Sequence, residues 1–393
     1  MGYLRGMHAS RGKAAYFAFY AANAALLPVL TLYYESLGIT GARLGLLASL
    51  WPAGGLVGAS LWGAVADSTG RHRSVLSLAI VAAIAGGQLF LLGESFPALV
   101  AIVAFFAISV APVGPMLDNA VLEDLGSRSE RFGRVRLWGA IGWGVSAPVV
   151  GRLTDLTGLR IVFPVYGALM LVLLAASYLL PVSHGRIGAN VVRGFRTIAG
   201  SPRWRTFLLS VLVTGTGSAF VHHYLYLYLS SIGGSGTLRG VALAVATASE
   251  LVVFGLADRL LRRVRAQLLI LVAMGLVGVR LVLFGVITSP VVALIPQFMH
   301  GVTFSLFLVA GVAIARELAP PGMGATAQAL FTGTSMGAGG IAGALLGGLL
   351  YRSMSVASVF LVAGVAEILL AAGFLVAHLR RRDAGREGAA RGA

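Results

Sequence analysis

Long apolar stretches alternate with short polar connections along all 393 residues of the chain. A helix that crosses a bilayer needs about 20 mostly apolar residues. Stretches of that length run over 14–35, 43–66, 74–93, 97–121, 135–153 and 160–181, and again over 204–230, 239–261, 266–288, 290–315, 324–350 and 354–379. The pattern predicts an all-α membrane protein with about twelve transmembrane helices. The first stretch ends without a small-residue cleavage site and is followed by many more, so it reads as a true span and not a removable signal.

The connections carry the orientation. Arg5, Arg11 and Lys13 precede the first span, and Arg71 and Arg73 lie in the second connection. The fourth holds Arg128, Arg131 and Arg134, and the eighth holds Arg259, Arg262, Arg263 and Arg265. Arg380, Arg381, Arg382, Arg386 and Arg391 end the chain. The alternate connections hold little beyond Arg43, Arg239 and Arg352. Basic loops stay on the cytoplasmic side. Both termini are therefore expected in the cytoplasm, in a multi-pass protein of the cytoplasmic (inner) membrane. The fifth connection, with Arg152 and Arg160 around Asp155, fits this pattern least well.

Residues 182–203 form the one long polar stretch inside the chain, with His184, Arg186, Arg193, Arg196 and Arg203, no acid, and Pro202 near the end. Six spans precede it and six follow. The division reads as an N-terminal six-helix bundle (1–181), a basic cytoplasmic linker (182–203), a C-terminal six-helix bundle (204–379) and a basic tail (380–393). Two equal halves about a linker suit a carrier whose halves rock around a central site; an ordinary loop between unrelated helices is the plainer alternative.

Composition narrows the field. The chain is 58% hydrophobic and 11% charged, with a mean hydropathy of +0.88. Soluble domains carry nearer a quarter charged residues, so the lipid bilayer is the expected surroundings. The net charge of +16 sits in clusters between apolar runs. That is the signature of loops at an anionic leaflet and not of a nucleic-acid partner. With no cysteine, thiolate metal sites and cysteine nucleophiles are excluded. Adjacent His222 and His223 face different sides of a helix and have no acid nearby, so no metal or other cofactor is expected. No phosphate loop or nucleophile elbow is present, which argues against an enzyme. The 53 glycines, as in the run from Gly337 to Gly340 with Gly343, Gly347 and Gly348, suit close helix contacts.

Between the second and third spans stand Gly63, Asp67, Gly70, Arg71, His72 and Arg73, at the spacing G-x-x-x-D-x-x-G-R-x-R. The segment resembles the signature loop of the major facilitator superfamily, with His72 in place of a basic residue. A weaker copy, Gly255 to Asp258 and Arg259, occupies the matching place in the second half. The resemblance implies two six-helix bundles. It also implies that Gly63, Asp67, Gly70, Arg71 and Arg73 gate the carrier, with Asp67 pairing with an arginine.

Ionisable residues within spans are costly and usually functional. Asp118, Arg136, Glu250, Arg280, His300 and Glu367 are such residues. The segment from Pro115 through Asp118, Gly133, Arg136, Gly139 and Trp143 resembles lactose permease and the related phenylpropionate permease and nucleoside proton symporter group. In those families an acid on span four and an arginine on span five hold the substrate, and the resemblance adds Trp143 as a stacking surface for a sugar. Asp118 and Arg136 are otherwise a structural ion pair. The string Gln297 to Phe304 resembles the span-ten signature of the phenylpropionate permeases, and Glu250, Arg280 and His300 resemble the proton-coupling trio of lactose permease. That permease has an acid one turn after its histidine, where this chain has Thr303, so a proton would fall to Glu250 or Asp118. Glu367 matches no motif. Asn23 is a polar group at membrane depth that is expected at the cavity. His222, His223, Tyr224, Tyr226 and Tyr228 form either a cavity wall or an interfacial aromatic belt.

The reading is a monomeric secondary transporter that imports a small organic solute (a sugar, nucleoside or aromatic acid) together with protons, by alternating access. Substrate is held by Asp118, Arg136, Trp143, Asn23 and His300, and protons by Glu250, Arg280, His300 and Asp118. A proton-antiport exporter of the same fold and a non-transporting membrane sensor are the alternatives.

Overall fold

The structure is a computed structural model that describes residues 2–181 and 201–391. The linker residues His184, Arg186, Arg193 and Arg196 fall outside the described residues. So do the side chains of Arg5, Asp258, Arg381, Arg382, Arg386 and Arg391. Among the described residues every regular element is a helix. Hydrocarbon offers the backbone no hydrogen-bond partner, so each spanning segment must satisfy its own N–H and C=O groups.

Ten stretches are long and apolar enough to cross a membrane. One of them, Phe96–Thr157, holds two passes joined by a 3-10 turn at Gly126–Arg131. The 30-residue helix Pro202–Ser231, which carries Arg203, Arg205, His222 and His223, makes a further pass. Twelve passes result among the described residues, in the expected places.

Four spans depart from a plain helix, each for a local reason: span one passes through a 3-10 turn at Leu27–Val29, which holds Pro28. Span four is a pair of helices, Phe96–Val110 and Val113–Leu125, parted at Pro112, whose ring and missing N–H interrupt the ladder. Span eight ends at Phe254, short of the expected 261, and a separate helix follows at Ala257–Arg263. Its Arg259, Arg262 and Arg263 are too costly to carry into hydrocarbon. Span eleven, Gly324–Thr332 and Gly340–Tyr351, is joined by a π-helical segment, Gly333–Gly339, with three glycines in its seven residues.

The two halves meet along two seams. On one, span five (Phe132–Thr157) packs on span eight (Gly236–Phe254). A Cβ added to Gly151 would lie 2.1 Å from the Gly236 carbonyl oxygen, and one on Gly240 would lie 2.2 Å from that of Ala147. On the other, span two (Gly41–Thr69) packs on span eleven: Gly45 would meet the Ala344 oxygen at 2.7 Å, and Gly337 the Leu56 side chain at 2.7 Å. These approaches start at the end remote from the termini and run to about mid-span, where Gly144 only touches Thr247 at 3.7 Å. Towards the termini Leu61, Val65, Arg134 and Trp138 are exposed, and a Cβ on Gly133 would meet nothing. The bundle is sealed at one end and open at the other.

At the open end, Gly70 closes span two with a left-handed turn (φ 64°), its N–H bonding to the Ala66 oxygen at 2.9 Å. Arg73 then donates to the carbonyls of Tyr178 at 2.9 Å and Leu180 at 2.7 Å, tying this loop to the end of span six.

Candidate functional site

The site is built from two helix faces that each lie between a seam and a neighbour. On span five, Gly139, Gly142 and Ser146 meet span one, where Ser146 Oγ donates to the Ala21 carbonyl at 2.8 Å. Gly144, Ala147 and Gly151 meet span eight. Arg136 and Trp143, seven residues apart and so on one face at 3.6 residues per turn, occupy the strip between the two contacts and look into the gap. Trp143 is half-buried.

Arg136 Nη1 donates to Asp118 Oδ2 at 3.0 Å. Tyr16 donates its hydroxyl to the other oxygen, Oδ1, at 2.5 Å, and Arg136 Nη2 reaches the Tyr20 hydroxyl at 3.4 Å. Asp118 is 31% and Arg136 48% exposed, so the pair is open to the gap. Tyr16 and Tyr20 stand one turn apart on span one, their ring centroids 6.3 Å from each other.

The second half repeats the arrangement. On span eight, Gly240 and Thr247 meet span five, and Ser249 Oγ accepts from the Gly301 N–H of span ten (Ile295–Leu318) at 3.0 Å. Glu250 falls between these faces, its Oε2 3.8 Å from His300 Nε2. Arg280, from span nine (Ala266–Val286), places Nη1 3.0 Å from His300 Nδ1 and donates Nη2 to Gln297 Oε1 at 2.8 Å. A guanidinium only donates. Nδ1 is therefore the acceptor, and the imidazole proton sits on Nε2, facing Glu250. Arg280 is 5% exposed and Gln297 fully buried, and Arg280 Nε and Gln297 Nε2 have no hydrogen-bond partner among the described residues.

The two sets face each other. Trp143 of span five and Glu250 of span eight flank the same stretch of seam, where Gly144 meets Thr247 at 3.7 Å. His222 is exposed on span seven, its ring against that of His223 with centroids 5.2 Å apart.

Other expected groups lie elsewhere. Asn23 is 5% exposed and bonds the Phe19 carbonyl of its own helix at 2.7 Å. Its Oδ1 is buried without a hydrogen-bond partner among the described residues. Gly63 is buried and Arg71 exposed. Asp67 pairs with His72 Nε2 at 3.4 Å and not with the expected arginine, because Arg73 is turned to span six. Tyr224 and Tyr228 are buried, donating to the carbonyls of Ala344 and Ile287, both at 2.6 Å. They are helix-to-helix ties, which corrects the belt reading. Glu367 is 4% exposed, with Oε1 unpartnered among the described residues and Oε2 against Gly217 of span seven. No group of three or more potential metal ligands occurs among the described residues.

Three members of the site were not anticipated. Gln297 lay in the quoted span-ten string without a role. Tyr16 and Tyr20 carried one usable signal, two hydroxyl-bearing rings four residues apart in an alanine-rich span.

Twelve spans in two halves around a gap lined with charged groups make this a membrane transporter. The chain belongs to the MFS_1 like family, whose pattern matches residues 10–362. It is 26% identical to a maltose permease of Geobacillus stearothermophilus over 374 residues, covering 95% of each chain. It is 20% identical to a probable 3-phenylpropionic acid transporter of Escherichia coli over 295 residues, 74% of this chain and 78% of the relative. Among solved structures it matches the nucleoside transporter NupG with a TM-score of 0.82, at 18% identity, over 94% of this chain and 98% of that one. A POT family peptide transporter matches with a TM-score of 0.76 at 12% identity, over 95% of this chain and 97% of that one. These relatives are transporters and not enzymes, and at such identities the structural matches speak for the fold alone.

Proposed function

We propose that this transporter imports a small hydroxylated solute, of the sugar or glycoside class, in symport with protons. The observation that carries the reading is the facing of two charged sets across one gap. Asp118, Arg136 and Trp143 stand on one side, and Glu250, His300 and Arg280 on the other, about the seam where Gly144 meets Thr247. A carboxylate accepts from sugar hydroxyls, a guanidinium donates in a fork, and an indole face covers the apolar side of a pyranose. The maltose permease relative supports this class. The phenylpropionic acid relative supports an aromatic acid, for which Arg136 supplies the countercharge.

Glu250 is the proton carrier in this reading, and His300 the relay. Arg280 holds Nδ1, so the ring exchanges protons only through Nε2, on the side of Glu250. Protonation of Glu250 removes the charge facing the first half, and solute binding then favours closure of the gap. The halves 1–181 and 204–379 rock about the linker 182–203 as a monomer, with both termini in the cytoplasm of the inner membrane.

Proteoliposomes under an imposed pH gradient test the reading. Internal pH is recorded while maltose, other sugars, nucleosides and small aromatic acids are screened. Solute-dependent proton entry is the expected result, and the active compound gives the class. Proton movement opposite to solute would make the protein an antiporter, and solute movement indifferent to pH would remove protons from the mechanism.

A further inference from the structure

The sealed end carries an acid that neither charged set of the gap uses. Asp155 stands in the last turn of span five, on the seam with span eight. Its carboxylate reaches across the seam to the first residues of that helix. Oδ1 accepts from the Gly236 N–H at 2.6 Å, and Oδ2 accepts from the Thr237 N–H at 2.8 Å and from the Thr237 hydroxyl at 2.7 Å.

The first four N–H groups of any helix lack partners within it, and the helix dipole favours negative charge there. Span eight caps itself only in part: Ser235 Oγ accepts from Leu238 N–H at 3.2 Å. The two donors ahead of it, on Gly236 and Thr237, are satisfied by a residue of the other half. Two features fit the carboxylate to this place. Gly236 has no Cβ; one there would lie 2.8 Å from Asp155 Oδ1 and 2.3 Å from the Gly151 oxygen. Arg239, one turn on and 9% exposed, attracts Asp155, while its Nη1 donates to the Gly234 carbonyl at 3.0 Å and fixes the preceding loop.

We propose that Asp155 is the latch of the sealed end: a helix cap supplied in trans, which holds spans five and eight together and must be released for this end to open. The second seam has its own acid at the same end, where the Tyr351 hydroxyl donates to Glu35 of span one. Asp155 differs from that pair in holding backbone donors. Its three bonds can form only when the whole helix end is seated, so the latch reads closure itself.

The lack of cysteine makes the test direct. Spin labels are placed on exposed positions either side of the seam, Leu156→Cys and Ser231→Cys, and the distance between them is measured in the purified full chain. The expected result is one short distance in the parent. In Asp155→Ala a longer component grows by about tenfold or more relative to the short one, the shift expected for loss of a charge-assisted bond. Asp155→Asn keeps the shape but replaces one acceptor oxygen by a donor, and is expected between the two. Thr237→Ala removes the hydroxyl bond alone and gives the smallest shift. A control pair within one half, Leu156→Cys with Leu92→Cys, must keep its distance; if it does not, Thr237→Ala and Asp155→Asn serve as the reporters. Unchanged distributions in all three Asp155 and Thr237 variants overturn the proposal.

Discussion

The imidazole of His300 lies flat against the ring of Phe304, 5.4 Å between centroids and 16° from parallel, with its Nε2 held towards Glu250. The stack adds to the Arg280 contact that holds the ring in place when its partner changes charge. Glu250→Gln therefore leaves the pocket shape intact and removes only the acid. Uptake driven by a pH gradient is expected to fall by about tenfold or more, the scale of one charge-assisted bond. Exchange of labelled for unlabelled solute without a gradient persists. Loss of both activities together would assign Glu250 to solute binding and not to coupling.

Arg136 divides its two ends between Asp118 and the Tyr20 hydroxyl. A lysine provides a point charge and cannot span both. Arg136→Lys is expected to weaken solute binding by about tenfold or more, from the loss of one bond to a charged group. Isothermal titration checks it, with thermal unfolding as the control for fold.

Trp143 lies half-buried on the strip of span five that borders the gap. Aromatic stacking contributes about 0.5–1.5 kcal/mol. Trp143→Phe should keep most of the affinity for a sugar, and Trp143→Ala should lose up to about tenfold. Equal affinity in all three forms would take Trp143 out of the site.

Arg73 joins the loop after span two to the carbonyls that end span six. It is exposed, so solvent screens the two bonds. Arg73→Ala is expected to cost about 1 kcal/mol of stability. In detergent this appears as a lower unfolding temperature, with solute affinity unchanged because the site is remote.

The spans were legible because the bilayer imposes a length that any stretch of about 20 apolar residues displays. Asp118, Arg136, Glu250, Arg280 and His300 were legible for the complementary reason, since charge at that depth is too costly to be incidental. Tyr16, Tyr20 and Gln297 were not, because a tyrosine or glutamine in an apolar helix has the same appearance whether it lines a site or ties two helices. Tyr224 and Tyr228 make the point from the other side: similar residues, bonded to the backbone of neighbouring spans. Asp155 drew notice only as an irregularity in the loop charges. Its partners Gly236 and Thr237 lie more than eighty residues on, and no local pattern couples them.

Where Gly151 meets Gly236 and Gly240 meets Ala147, the halves touch backbone to backbone. Side chains that pack can slide, change rotamer and let a contact fade by degrees. Peptide planes seated on one another have no such slack, and a parting of an ångström or two ends the contact along the whole run. Such a contact favours a seam that shuts or parts as a unit. A seam shut on bare backbone leaves no room for a file of water between these residues.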